Sequence, residues 1–173
     1  MNVAEGIAKL VASFRIRRAM RQWQLHKEDQ AIRLGLLAAK HSDSAKIIVA
    51  QWYGGKGNWT AAIPLLQSAA ANGRWEAKQV LVACHYYGNG VPVDRERAYE
   101  LAADAAESGS IECQIALAQH YSDGQSREPN YFLAKKYASM AADAGRPDVL
   151  AEVKMLQSRC SNEQQSGLSD SSC

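Results

Sequence analysis

The sequence predicts an all-α fold of stacked antiparallel helix hairpins, and three observations support it. Hydrophobic residues make up 47% of the 173 residues, yet only two are phenylalanine and many are alanine. Small side chains of this kind allow helix axes to approach closely. The chain also resembles itself at a fixed spacing, and helix-start and helix-stop residues recur at that spacing. Such repetition is typical of folds in which each hairpin completes its core against the next.

The internal repeat is clearest when residues 77–112 are placed on residues 113–148, a shift of 36. Seven positions are then identical, and each is a Leu, Ala or Gly. The first-copy members are Leu81, Gly88, Ala98, Ala102, Ala105, Ala106 and Gly109. An earlier copy, residues 45–73, has a shorter corner. The conserved spacing predicts that the recurring residues pack between helices or reverse the chain, while surface positions vary.

The elements follow from this spacing in order along the chain. Helices are expected at about 44–54 and 59–72, at 76–87 and 95–108, and at 112–122 and 131–144, with a closing helix at about 148–158. Asn58, Asp94 and Asn130 each occupy an N-cap position, where a side-chain oxygen accepts from a free helix N–H. Helix-ending glycines are predicted at Gly73, Gly109 and Gly145.

Three segments are expected. Residues 1–42 hold a basic amphipathic helix, roughly 3–25, and a degenerate second hairpin helix. Residues 43–158 hold the repeats and the closing helix. Residues 159–173 are rich in Ser and Gln, carry too little apolar surface to fold, and are expected to be a disordered tail.

The overall charge alone excludes few classes of function. Net charge is +2, which argues against binding nucleic acid through bulk charge. No run reaches the roughly 20 apolar residues that a membrane-spanning helix needs, and the N-terminus does not resemble a signal peptide, so we expect a cytoplasmic protein.

The cysteines Cys84, Cys113, Cys160 and Cys173 form neither a close pair nor a regular framework. We expect no metal, no cofactor and no enzymatic activity, with His85 at a packing position.

The N-terminal helix has two open interpretations. Its apolar residues fall at helical spacing on one face, which predicts a cap over the first hairpin: Val3, Ile7, Leu10, Val11 and Phe14. Its basic cluster instead favours a helix that contacts a membrane surface or an acidic partner: Arg15, Arg17, Arg18 and Arg21.

The corner motif points to a family. "L-x-x-x-[HY]-x-x-G" occurs at 81–88 and 117–124, and "G-x-G-V-P-x-D" at 88–94 precedes "A-x6-AA-x2-G" at 98–109. This resembles the Sel-1-like repeat, a relative of the tetratricopeptide repeat with a longer corner. His85 departs from the usual tyrosine, and the third corner lacks the second glycine and the Val-Pro. The resemblance implies a right-handed α-solenoid whose first helices line a concave face.

The same resemblance implies a protein or peptide partner, for an adaptor or regulator. A bacterial immunity protein that neutralises a toxin is the alternative within binding, and a membrane-surface or nucleic-acid-associated role through the basic helix is the alternative outside it. The residues expected to face the groove or lie beside it are Gln51, Gln79, Tyr86, Tyr87, Glu112, Gln119 and Ser122. Aromatic area and amide groups suit recognition, although an ordinary solvated helix face would also carry such residues.

Overall fold

The computed structural model describes residues 3–123, 130–144, 153–156 and 158. It divides into two compact units, residues 1–98 and residues 99–173. The described residues form helices and no strand, which confirms the all-α prediction. Eight helices have defined bounds: α1 (Val3–Gln24), α2 (Glu28–Ala39), α3 (Asp43–Gly55), α4 (Trp59–Ala71), α5 (Trp75–Tyr87), α6 (Arg95–Glu107), α7 (Ile111–Asp123) and α8 (Tyr131–Asp143).

Five pairs of consecutive helices among the described residues pack on one another. In the first unit α1 pairs with α2, α2 with α3, α3 with α4, and α4 with α5. In the second unit α7 pairs with α8. The predicted helix bounds agree with the structure within about two residues, the usual uncertainty of a helix end. Residues 153, 154, 155, 156 and 158 are helical. The remainder of the predicted closing helix, Gly145 and the tail 159–173 lie outside the described residues.

The predicted N-caps are confirmed. Asn58 Oδ1 accepts from the Ala61 N–H at 3.3 Å, Asp94 Oδ1 accepts from the Arg97 N–H at 2.9 Å, and Asn130 Oδ1 accepts from the Leu133 N–H at 3.1 Å. Each bond satisfies a donor that the helix itself leaves unpaired. Sequence analysis missed a fourth cap, in which Ser42 Oγ accepts from the Ala45 N–H at 3.3 Å.

Alanine dominates the core of both units. Ala12, Ala38, Ala39 and Ala45 are buried together in one cluster of the first unit, and Ile16 packs against it. The repeated alanines at 98, 102, 105, 106, 134, 138 and 141 are all buried, as are Leu81 and Leu117. Most recurring Ala and Leu positions therefore lie in the core, whereas Ala142 is half-buried.

The apolar face predicted to cover the first hairpin is the wrong face of α1. The side chains of Leu10 and Phe14 are both 71% exposed, and Ile7 and Val11 are exposed as well. The helix packs instead through Ala12, Ala19 and the partly buried Ile16, together with Trp23, whose ring stacks on Trp52 of α3 at a centroid distance of 4.8 Å. Methyl groups bring the backbones of α1 and α2 closer than leucine and phenylalanine would.

The corner glycines fit around Trp59. Gly90 has φ +76°, and a Cβ added there would overlap Trp59 Cβ and its backbone. Gly54 lies against the Trp59 ring, since an added Cβ would stand 2.7 Å from a ring carbon. Two constraints therefore favour glycine at position 90: the left-handed backbone conformation and the close approach of Trp59.

We expect Gly90→Ala to destabilise the chain by about 2–4 kcal/mol, combining the cost of a positive φ with overpacking. Gly57→Ala is the matched control, because Gly57 has a nearly equal φ of +74° but open space around an added Cβ. It should cost only about 1–2 kcal/mol. Urea unfolding measures both. Equal losses would show that contact with Trp59 does not constrain the corner.

A polar cluster ties the start of α3 to the end of α4. Asp43 accepts hydrogen bonds from Lys46 Nζ at 2.7 Å and from Asn72 Nδ2 at 3.0 Å. Burial by itself would raise the pKa of the Asp43 carboxyl. The hydrogen bonds from Lys46 and Asn72, with the positive charges of Lys46 and Arg74, outweigh that effect and hold the pKa below its ordinary value.

A carboxyl with a lowered folded-state pKa stabilises the fold above its unfolded pKa, about 4, and loses this contribution as pH falls through the lower folded value. Asp43→Asn should therefore cost about 0.5–1 kcal/mol at neutral pH and progressively less below about pH 4. Denaturant unfolding across this range provides the measurement. Glu107→Gln removes a more exposed partner of Lys136 and should have little effect. If Asp43→Asn lowered the free energy of unfolding equally at every pH, the proposed link between stability and the Asp43 pKa would be contradicted.

Candidate functional site

The predicted partner-binding residues are divided between the two units. Gln51 on α3 and Gln79, Tyr86 and Tyr87 on α5 belong to the first. Glu112, Gln119 and Ser122 on α7 belong to the second. Gln51, Tyr87 and Glu112 are exposed, whereas Gln79, Tyr86 and Gln119 are half-buried.

Ser122 is the exception among these residues. Its side chain is 3% exposed, and its hydroxyl donates to the Gln119 carbonyl oxygen at 2.9 Å. A serine that bonds back to its own helix in this way is a local structural element. Ser122 therefore has almost no surface to offer a partner, contrary to the prediction that it faces the groove or lies beside it.

The end of α5 carries an exposed aromatic surface. The rings of Tyr86 and Tyr87 meet edge to face with centroids 5.0 Å apart, and the Arg95 guanidinium lies 5.4 Å from the centre of the Tyr86 ring. Tyr87 is 71% exposed, and Val93 is exposed nearby, against Gly88. We refer to Tyr86, Tyr87, Val93 and Arg95 as the tyrosine patch.

The corner 88–94 builds this patch by folding back on α5. Gly88 has φ +79° and, with Asn89, donates its N–H to the Cys84 carbonyl oxygen at 2.9 Å. The Asp94 N–H then donates to the His85 carbonyl oxygen at 2.9 Å. These bonds bring Arg95, the first residue of α6, over Tyr86. Sequence analysis identified the tyrosines but missed Val93 and Arg95, whose only signal was their place beside the corner motif.

The second unit places its aromatic residues in a packed series. His120 stacks on Tyr99 at a centroid distance of 4.1 Å and meets Tyr121 at 5.5 Å. Tyr121 stacks on Tyr137 at 5.9 Å. His120 is thus held between rings, an arrangement that serves packing.

The basic residues of α1 surround an open depression of about 590 Å³. Its lining consists of Phe14, Arg17, Arg18, Arg21, Gln22 and Leu25. Arg17, Arg18 and Arg21 are exposed, and Arg15 is half-buried. The depression thus brings three of the four predicted basic residues together with Phe14, which was predicted to cover the first hairpin, and with Leu25.

Comparison with known proteins identifies the repeats. Residues 83–110 and 111–145 match the family model for the Sel1 repeat. A Sel1 repeat protein from Oxalobacter formigenes has a similar structure, with a TM-score of 0.68 and 20% identity over 90% of this chain and 73% of that chain. Residues 83–145 of this chain therefore carry two Sel1 repeats. The structural likeness also confirms the predicted α-solenoid fold.

A second solved structure is similar to this chain. It is a protective antigen present in uropathogenic Escherichia coli strains that displays an SLR fold. Its TM-score is 0.56 and its identity 20%, over 76% of this chain and 32% of that chain. No curated protein matches the sequence. Sel1 repeats generally mediate protein–protein interactions.

Within residues 3–123, 130–144, 153–156 and 158, no group of three or more His, Cys, Asp or Glu could hold a metal ion. No helix in the same ranges is both long and apolar enough to cross a membrane. Cys84 and Cys113 are buried free thiols, and burial raises the pKa of both.

We expect these two cysteines to react slowly in the folded protein, because little thiolate forms at neutral pH and access is blocked. A variant with Cys160→Ser and Cys173→Ser isolates them. Ellman's reagent should label almost no thiol in the native variant and two thiols per chain after denaturation. Rapid native labelling would instead identify Cys84 or Cys113 as a reactive nucleophile.

Proposed function

We propose that this Sel1-like repeat protein is a non-enzymatic interaction module that binds a protein or peptide, with the tyrosine patch as a principal contact. The observation that carries the proposal is the contact of the exposed Tyr87 with the half-buried Tyr86, which lies beneath Arg95. Tyrosine and arginine are, with tryptophan, enriched among the interface residues that dominate binding energy. Gln51, Gln79, Glu112 and Gln119 are proposed as further contacts, and Ser122 is not.

The geometry supports recognition in two ways. Tyr87 and Val93 offer apolar area that the core does not use, and the phenol groups and guanidinium offer hydrogen bonds beside it. The contacts of Tyr86 with Tyr87 and Arg95 also restrict these side chains before binding, which lowers the entropy lost on association. A suitable partner segment places an apolar side chain against Tyr87 and a carboxylate or backbone carbonyl at Arg95.

The cellular role depends on which partner binds. An adaptor or regulator of cytoplasmic proteins is the first choice, and the cytoplasmic location stays a prediction. An immunity protein would direct the same contacts at a toxin. Capture from the native host followed by mass spectrometry identifies the partner, and its activity separates the two roles.

Tyr87→Ala should weaken binding of the identified partner by about 2 kcal/mol or more, as expected for an aromatic residue central to an interface. Titration calorimetry with the purified partner measures the loss. The free energy of unfolding should change by no more than about 0.5 kcal/mol, because the side chain is largely exposed.

Phe132→Ala is the matched control for this experiment. Phe132 is an aromatic residue on α8 with a similar exposure of 76%, and it lies outside the proposed contacts. Its truncation should leave affinity within about twofold of the original, as is usual for a surface substitution away from an interface. If Tyr87→Ala binds as tightly as Phe132→Ala, the tyrosine patch is not the binding surface.

A further inference from the structure

The outward face of α1 is apolar in its first half and basic in its second. We define the α1 face as the side chains of α1 that project away from its buried alanines: Ile7, Leu10, Val11, Phe14, Arg17, Arg18 and Arg21. The apolar part, from Ile7 to Phe14, spans about 10 Å along the axis. All seven side chains are exposed, although burying the four apolar ones would be favourable.

The neighbouring helix α2 also carries exposed apolar side chains. Leu36 and Leu37 near its end are exposed, and the exposed Lys40 follows them. Lys40 lines the same depression as Glu5, Ala8 and Lys9 of α1, so a further cation lies near the first turns of α1.

The charge of this region is one-sided. Residues 1–42 contain eight Lys and Arg against three Asp and Glu, and no acidic residue occurs between Glu5 and Glu28. Lys9 pairs with Glu5 at 2.8 Å, whereas Arg17, Arg18 and Arg21 form no ion pair with any residue that the structure describes. The surface is thus complementary to an apolar environment bordered by a layer of negative charge.

We propose that the α1 face docks on an anionic phospholipid bilayer as a peripheral membrane contact. The apolar half enters the boundary between headgroups and acyl chains, and the arginines bind lipid phosphates, which guanidinium groups hold through paired hydrogen bonds. The open depression between Phe14 and Leu25 gives those headgroups room beside the arginines. Neither the apolar half of the α1 face nor its arginines suffice alone, because stable peripheral attachment generally combines an apolar anchor with a basic cluster.

This inference is independent of the tyrosine patch and is tested with the full chain. Co-sedimentation would use vesicles of equal parts phosphatidylcholine and phosphatidylserine, and vesicles of phosphatidylcholine alone. We expect at least tenfold stronger binding to the anionic vesicles. Leu10→Ser with Phe14→Ser should weaken that binding at least tenfold. Arg17→Glu with Arg18→Glu and Arg21→Glu should do the same.

Phe132→Ser with Lys154→Glu is the control, because it removes one exposed aromatic residue and reverses one exposed charge in the second unit. It should bind the anionic vesicles as the original chain does, and so should Tyr87→Ala. Circular dichroism checks that every variant is folded. Equal or absent binding to the two vesicle types would overturn the proposal. Unchanged binding of the Leu10/Phe14 variant would exclude insertion and leave only charge adsorption, which also contradicts it.

Discussion

Close contact between helices through methyl side chains is the constraint on which the rest of this structure depends. Ala38 and Ala39 of α2 meet Ala12 of α1 and Ala45 of α3 in one buried cluster. Ala105 and Ala106 are both buried, and so are Ala69 and Ala141, the first alanines of the other two repeated pairs. Because each contact is small, the corners must hold the helices at a short separation, and glycines fitted around Trp59 do so. Larger apolar side chains then either fill the remaining space in the core or lie on the surface.

This constraint explains which parts of the fold could be predicted. The 36-residue spacing identified the hairpins because Leu81, Ala98 and Gly109 are needed wherever a hairpin packs and turns. The prediction from helical periodicity failed at α1, where the larger apolar residues were assigned to the buried face on the usual rule that such residues are buried. Helical periodicity shows which side chains share a face, but it does not show which face the next helix can approach.

The candidate site was predictable to a similar extent. Tyr86 and Tyr87 were predicted to face the groove or lie beside it; Tyr87 is exposed and Tyr86 is half-buried. Arg95 and Val93 could not be placed, because their position depends on backbone hydrogen bonds from the corner to α5. Ser122 was assigned wrongly since a serine late in a helix can bond to its own backbone, and sequence position does not reveal that choice. Local backbone geometry, rather than residue type, decides these cases.

The stacked rings of Trp23 and Trp52 give the first unit an internal optical reporter. Their planes differ by only 6° at a centroid separation of 4.8 Å, so their excited states couple whenever α1 lies against α3. Any event that moves the end of α1, including rearrangement at a bound surface, changes that coupling without an added label. The absorption and fluorescence of these two tryptophans therefore report whether α1 is packed against α3.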